Sequence, residues 1–380
     1  MAGVNAIGDL LAFFGWYVIP FIIILSLIVS IHELGHYLVG RWCGVKIDAF
    51  SLGFGPELFA RVDSRGTRWR VGALPLGGYV KFHGDANPAS VGDRSADPSV
   101  DRSLTLPGQP LRNRAAIVLA GPVANFILAF VIFAGMFMAF GRVEHTPRIG
   151  RVEASSPAAA AGFQAGDLVK SIDGNPIDSF EALQESTLMS TGLPMHFVVE
   201  RHGRDVDLTA TPRISVVDQG VFGKRRMGHL GLASSADRKD AKVERCGPLT
   251  CAAWGAGQEW FIVKATANYV VGIFAGREST DQMSGLIGAA QMAGEMAKIS
   301  FWELFSLAAW FSVSVGLMNL LPIPLLDGGH LAFYAFEALL GRPLSERAQE
   351  IGLRIGIALV ALLVVFTTSH DIIRLFTNGN

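Results

Sequence analysis

Phe21-Ile22-Ile23-Ile24-Leu25-Ser26-Leu27-Ile28-Val29-Ser30-Ile31-His32-Glu33-Leu34-Gly35-His36 begins as an apolar run and ends with three ionisable groups in five residues. The uncharged run reaches back to Phe13, and a helical membrane span needs about 20 residues. Ionisable groups inside such a span are costly and mark functional sites. On a helix, residues four apart share a face, so His32 and His36 can reach one ion while Glu33 projects beside it. Neutral imidazoles with an open position for water suit zinc. Glu33 is then the general base that takes the water proton and the acid that returns it to a leaving amine.

Working outward, three more stretches are long and apolar enough to span, beginning near Ala115, Leu304 and Ile355. Half of the 380 residues are hydrophobic and 17% are charged, a balance that favours a polytopic α-helical membrane protein of about four spans. The net charge of -1 gives no footprint for nucleic acid. Three cysteines are too few and scattered for a cysteine-based metal site, which leaves His and carboxylates as ligands. No Lys or Arg precedes the first apolar run and no small-residue cleavage pattern follows it, so that run reads as a retained span. The segment between Arg41 and Arg114 is rich in Lys and Arg, which places it in the cytoplasm and the long 141–300 segment outside.

The expected organisation is a first span over residues 1–40, a cytoplasmic β-rich membrane-associated segment over 41–113, a second span over 114–141, an outer domain over 146–232, a connector over 233–300, a third span over 301–328 and a fourth over 352–372. The cytoplasmic part has strand-like runs at Ile47–Phe54, Leu58–Val62, Thr67–Ala73 and Tyr79–Phe82, and a polar, flexible composition from Asn87 to Pro110. In the outer part, strands are expected at Ile149–Val152, Leu168–Ile172, His196–Arg201 and Asp205–Thr211, with a helix over Ser179–Ser186. The string from Ser156-Pro157 through Gly166-Asp167-Leu168-Val169 to Asp173-Gly174 resembles bacterial PDZ domains. Such domains take an extended peptide by strand addition; a module that only obstructs is the equal alternative.

Two histidines do not complete a zinc site. Asp327, at the end of the third span, lies at the same depth as His32 and His36 if both spans run in the same direction, and Pro322 and Pro324 break the helix beside it.

The set His32-Glu33-x-x-His36, Asn319-x-x-Pro322 and Asp327-Gly328 resembles the site-2 protease family of intramembrane zinc metalloproteases, and most closely its bacterial regulator-of-sigma-E protease group. Further matches are Ser51-Leu52-Gly53-Phe54-Gly55-Pro56, Pro75-Leu76-Gly77-Gly78-Tyr79-Val80-Lys81 and Gly121-Pro122-Val123-Ala124-Asn125-Phe126. The resemblance implies Zn2+ on His32, His36 and Asp327, and Glu33 as catalytic acid/base. It implies that Asn319 and Pro322 hold unwound substrate, and that a loop carrying Gly53, Phe54 and Gly55 dips towards the membrane near the site. It also implies single-span membrane proteins as substrates, such as a trimmed anti-sigma factor, and a place in the cell inner membrane with the PDZ domain in the periplasm and the active site near the cytoplasmic side. Asn125 contacts substrate, supports the site, or bonds one helix to another.

The chain departs from larger members of the group in having one PDZ domain, and Leu286 stands where the group has proline in Ser284-Gly285-Leu286-Ile287-Gly288. His330 reads as a group behind the ligands or at the interface. Cys246 and Cys251 face an oxidising compartment, where a local disulfide or free thiols are equally open. Two other function classes remain: a membrane zinc carrier or sensor, which has no use for Glu33, and a PDZ scaffold with a degenerate site, against which the intact His, Glu, His and Asp set argues.

Overall fold

The computed structural model describes residues 14–85, 101–190, 192–218, 224–235, 240–275 and 285–377. The start of the chain, Ser284 and residues 87–100 of the polar connector lie outside the described residues. Two compact units emerge, one of residues 1–133, 255–266 and 283–380, the other of 134–254 and 267–282.

A π-helical turn over Phe14–Val18 leads into helix α1 (Ile19–Trp42), which carries the histidines in its second half. Pro20 sits in its first turn, where a backbone N–H has no helical partner to lose. Strands β1 (Ile47–Val62) and β2 (Arg68–Phe82) follow. The four short strands expected here are two long bent ones. Ala49–Leu52 pairs with Gly78–Lys81 on one side and faces Arg68–Val71 on the other, so the Gly78–Phe82 stretch is an outer strand. The bends fall at glycines: Gly53 and Gly55 adopt φ of +85° and +82°, a region costly for residues with a Cβ. Gly53-Phe54-Gly55 is therefore a kinked part of β1 and not a separate loop, because Phe54 keeps its ladder position opposite Leu74. Tyr37, Ile47, Phe50 and Val80 form a buried cluster that seats this hairpin on α1.

Helix α2 (Leu111–Phe140) runs through Pro122 without ending. Strands β3 (Arg142–His145) and β4 (Ile149–Val152) open the second unit. It continues through helix α3 (Pro157–Ala161), β5 (Leu168–Ile172), β6 (Asn175–Pro176), α4 (Phe180–Met189), β7 (Met195–Arg201) and β8 (Arg204–Ala210). The last strands are β9 (Arg213–Asp218), β10 (Lys224–His229), β11 (Leu232–Ser234) and β12 (Ala241–Glu244). A four-stranded sheet has the order β6-β5-β7-β8, while β4 pairs β11, β3 pairs β12 and β9 pairs β10. Ser156 and Ser179 cap α3 and α4 by accepting from the Ala159 and Ala182 amides. The core gathers Ile149, Phe163, Val169, Leu183, Phe197 and Val199.

The 233–300 stretch is no plain connector. It holds β12, the long helix α5 (Pro248–Phe274) and α6 (Leu286–Ile299). Small residues and the charges of Glu259 and Lys264 weaken its apolar signal, yet they suit a helix. Cys246 and Cys251 are joined by a disulfide at the start of α5.

Helix α7 (Phe301–Asn319) ends before the proline pair, so the third span is shorter than 301–328, and Asp327 opens a separate helix α8 (Asp327–Leu340). Helix α9 (Glu346–Thr377) extends beyond 352–372 at both ends. Among the described residues, four helices are long and apolar enough to cross a membrane: Phe14–Trp42, Leu111–Phe140, Phe301–Asn319 and Arg347–Ile373. Ile355, Leu362 and Val365 on α9 and Ile127 and Val131 on α2 are at least half exposed, a surface that water would not favour and lipid would cover.

In the first unit, Ile24 and Ile28 of α1 pack with Ala293 of α6 and Leu307 and Ala308 of α7. At Gly35 a Cβ would come within 2.8 Å of the Ala124 Cβ, so only glycine allows α1 and α2 to lie this close. At the far end of α9, buried Asp371 accepts from the Gly285 and Gly288 amides at 3.0 Å each. These are the first free N–H groups of α6, and the carboxylate caps them from another helix.

Candidate metal centre

The register of α1 brings His32 and His36 onto one side, with ring centroids 4.8 Å apart and planes nearly perpendicular. Their Nε2 atoms stand 3.2 Å apart. Asp327 Oδ2 reaches the same point, 3.0 Å from His32 Nε2 and 3.5 Å from His36 Nε2. What delivers it is the turn after α7. Leu325 takes φ +113°, strained for a residue with a Cβ and of a kind that collects at functional sites. Gly328 and Gly329 then pack against the Leu320–Leu321 and Ile323–Pro324 backbone, where any Cβ would collide.

The three atoms meet without satisfying one another. Among the described residues buried Asp327 Oδ2 has no hydrogen-bond partner, and a buried carboxylate oxygen without a partner is expensive. Gly121 of α2 faces this point, and a Cβ there would lie 2.7 Å from His32 Nε2 and closer still to His36 Nε2. Two imidazole nitrogens and a carboxylate oxygen, converging within 4.8 Å of one another beside a position kept free by glycine, are a three-ligand set with room for a cation and a further group. The residues present fit zinc.

Helix α2 holds both rings from behind. His36 Nδ1 is 2.8 Å from the Ile117 carbonyl, which can only accept, so this ring carries its proton on Nδ1 and keeps the Nε2 lone pair free. His32 Nδ1 is 3.2 Å from the Asn125 side-chain amide. Asn125 is fully buried, and its carbonyl receives the Ser312 hydroxyl at 2.8 Å.

Glu33, next along α1, faces the hairpin. A Cβ at Gly78 would be 3.5 Å from its Cγ, and the backbone N–H of Val80 approaches its carboxylate. The outer strand of the hairpin thus passes beside the acid. Gly53, Phe54 and Gly55 lie further along the same hairpin, where Phe54 stacks on Tyr79 at 6.1 Å. Asn319 closes α7, and Pro322 is exposed in the turn that follows.

The model of peptidase family M50 matches residues 20–363. The chain belongs to peptidase family M50. It is 45% identical to a protein of Rhizobium meliloti (strain 1021) named as a zinc metalloprotease, over 95% of this chain and 97% of that one. A similarly named protein of Agrobacterium fabrum is 44% identical over 97% and 98% of the two chains, and metalloprotease MmpA of Caulobacter vibrioides is 39% identical over 94% and 95%. The M50 chain described here is a zinc metalloprotease.

Two contributors escaped the sequence reading. Gly121 reads in the sequence only as part of a helix-breaking Gly-Pro pair, whereas in the structure a Cβ there would press on both imidazoles. The Ile117 carbonyl is a main-chain group and has no signature in the sequence.

Proposed function

We propose that this zinc metalloprotease cleaves single-span membrane proteins within, or at the edge of, the bilayer. The observation that carries the reading is the place of the ligands: His32, Glu33 and His36 lie inside a 29-residue apolar helix, and Asp327 joins them from the turn after another such helix. A protease for water-soluble chains has no need to bury its catalytic groups in a span.

Zinc, when bound by His32, His36 and Asp327, supplies Lewis acidity to the attacking water and the scissile carbonyl. Glu33 takes the proton of that water and later delivers it to the departing amine. The substrate span arrives as a helix whose amides are paired internally, and one peptide must be drawn out and its lost hydrogen bonds replaced. The Gly78–Phe82 strand, beside Glu33, is the edge that would pair with it. Gly53, Phe54 and Gly55 on that hairpin, and Asn319 and Pro322 where α7 stops, are assigned to holding the extended segment.

The basic segment between Arg41 and Arg114 supports a cytoplasmic position for the hairpin, and the Cys246–Cys251 disulfide supports an oxidising, periplasmic one for the second unit. This gives a multi-pass protein of the cell inner membrane with its active site near the cytoplasmic side. The second unit is read as a PDZ domain from its sequence. The PDZ domain of an SdrC-like protein from Listeria monocytogenes is similar to part of this chain, covering 23% of it and 84% of that chain at 18% identity with a TM-score of 0.19. The substrate class is a short membrane protein already trimmed outside, such as an anti-sigma factor.

The test is reconstitution in liposomes with a single-span substrate, using wild type and Glu33→Gln. Wild type should release fragments whose new ends map inside the substrate span, while Glu33→Gln keeps zinc and releases none. Cleavage confined to water-exposed segments, or full activity in Glu33→Gln, overturns the proposal.

A further inference from the structure

We infer that Asn125 is a positioning residue for zinc, and that its side-chain oxygen, not its nitrogen, faces His32. The inference rests on the metal reading above and assigns a role that the family match does not. It starts from the proton inventory of the two rings.

An imidazole that offers Nε2 to a cation must carry its proton on Nδ1, and that N–H needs an acceptor. His36 has one in the Ile117 carbonyl. Among the described residues His32 Nδ1 has the Asn125 amide, placed with Nδ2 at 3.2 Å. Donor would then face donor. Asn125 Oδ1, meanwhile, is buried with no hydrogen-bond partner among the described residues. The two ends of a carboxamide have nearly the same size, so their assignment follows from the hydrogen bonds they make.

Turning the amide by half a revolution puts Oδ1 on the His32 Nδ1–H and changes no packing. Either orientation leaves one end of the amide without a protein partner, so the histidine decides between them. Asp327 Oδ2 lies 3.0 Å from His32 Nε2 and 3.5 Å from His36 Nε2, so both Nε2 atoms point at the shared ligand position and leave Nδ1 to the groups behind. Asn125 cannot swing away: a Cβ at Gly316 of α7 would be 3.4 Å from its own Cβ, and Ser312 holds its backbone. One helix therefore supplies both acceptors that set the tautomers of the zinc ligands, and does so from a position whose helix-to-helix hydrogen bond is made by the backbone alone.

The experiment measures zinc affinity of the purified full chain by competition with a chromophoric chelator. Wild type, Asn125→Leu and Asn125→Asp are compared, both variants being near the size of asparagine. Losing the acceptor in Asn125→Leu should weaken zinc roughly 10–100-fold, whereas Asn125→Asp, which still accepts, should hold zinc at least within a few-fold of wild type. Wild-type affinity in Asn125→Leu, with or without loss of cleavage, would make Asn125 a substrate contact or a packing residue and overturn the inference. An equal loss in Asn125→Asp would do the same. If Asn125→Leu fails to fold, Asn125→Ala takes its place under the same criterion. Failure of wild type to bind zinc would instead remove the metal reading itself, so the two failures are distinct.

Discussion

Asp327 Oδ2 and His32 Nε2 stand 3.0 Å apart, and the buried oxygen has no hydrogen-bond partner among the described residues. A cation between the ligands removes that cost, so the carboxylate should matter for affinity and not only for rate. Asp327→Ala is expected to lower bound zinc to substoichiometric levels and abolish cleavage. Metal analysis after equilibration against a chelator checks this; full zinc content with unchanged affinity would mean that another group is the third ligand.

Gly121 makes the complementary prediction. A methyl group there would press on both Nε2 atoms, whereas Gly135 of the same helix has open space around its Cβ position. Glycine to alanine in a helix interior is worth about 1 kcal/mol in favour of alanine when nothing collides. Gly135→Ala should therefore leave zinc and activity intact and raise thermal stability slightly. Gly121→Ala should lose zinc while retaining its helix content by circular dichroism. Equal zinc affinity in the two variants would show that the space beside Gly121 is not used.

Much of this site was legible because its physics is local. His32, Glu33 and His36 need only a helix of known period, and the cost of charge in an apolar run marked them as functional. The meeting of Asp327 with the two histidines was expected from two spans running in the same direction. Other parts depend on what meets in space. The bends at Gly53 and Gly55 could not be told from loops, since a glycine permits a kink inside a strand and a break between strands alike. Helices α5 and α6 were hidden because Glu259, Lys264 and many small residues dilute the apolar signal. The strained turn at Leu325 left no trace, as nothing in the residue itself favours φ of +113°.

The second unit carries its own titratable anchor. The Asp167 side chain is fully buried and accepts from Arg201 Nε and Nη2 at 2.7 Å each, and from the Gln164 amide at 2.8 Å. Burial pushes its carboxyl up, but the Arg201 and Gln164 bonds outweigh this and hold it below the usual range. A depressed folded value means that the stabilisation is complete above the unfolded value of about 3.9 and is lost as pH falls through the folded one. Resistance of this unit to limited proteolysis should thus be flat from neutral pH to about pH 5 and drop only below pH 4. Asp167→Asn should destabilise it by about 2 kcal/mol, since it removes the charge partner of a half-buried guanidinium that keeps its bond to the Gly162 carbonyl. Unchanged proteolysis in the variant would refute the anchor.

The final prediction separates two roles for the second unit. In the proposed topology it lies outside, while the metal ligands lie towards the cytoplasmic end of α1, and the bilayer core is about 30 Å thick. It can then supply no group to the chemistry. If it receives the new end of a trimmed substrate, deleting residues 146–232 should slow cleavage of that trimmed form. If it obstructs substrates with bulky outer domains, the deletion should admit the untrimmed form and leave the trimmed one nearly unaffected. Obstruction is favoured here because confinement to the same membrane already gives enzyme and substrate a high effective concentration, so a weak extra contact adds little. The measurement is the cleavage rate of trimmed and untrimmed forms of one substrate by full-length and deleted enzyme at equal zinc content. A rise for the untrimmed form alone supports a gate and a fall for the trimmed form alone supports a receptor. Unchanged rates for both would leave the unit without either role.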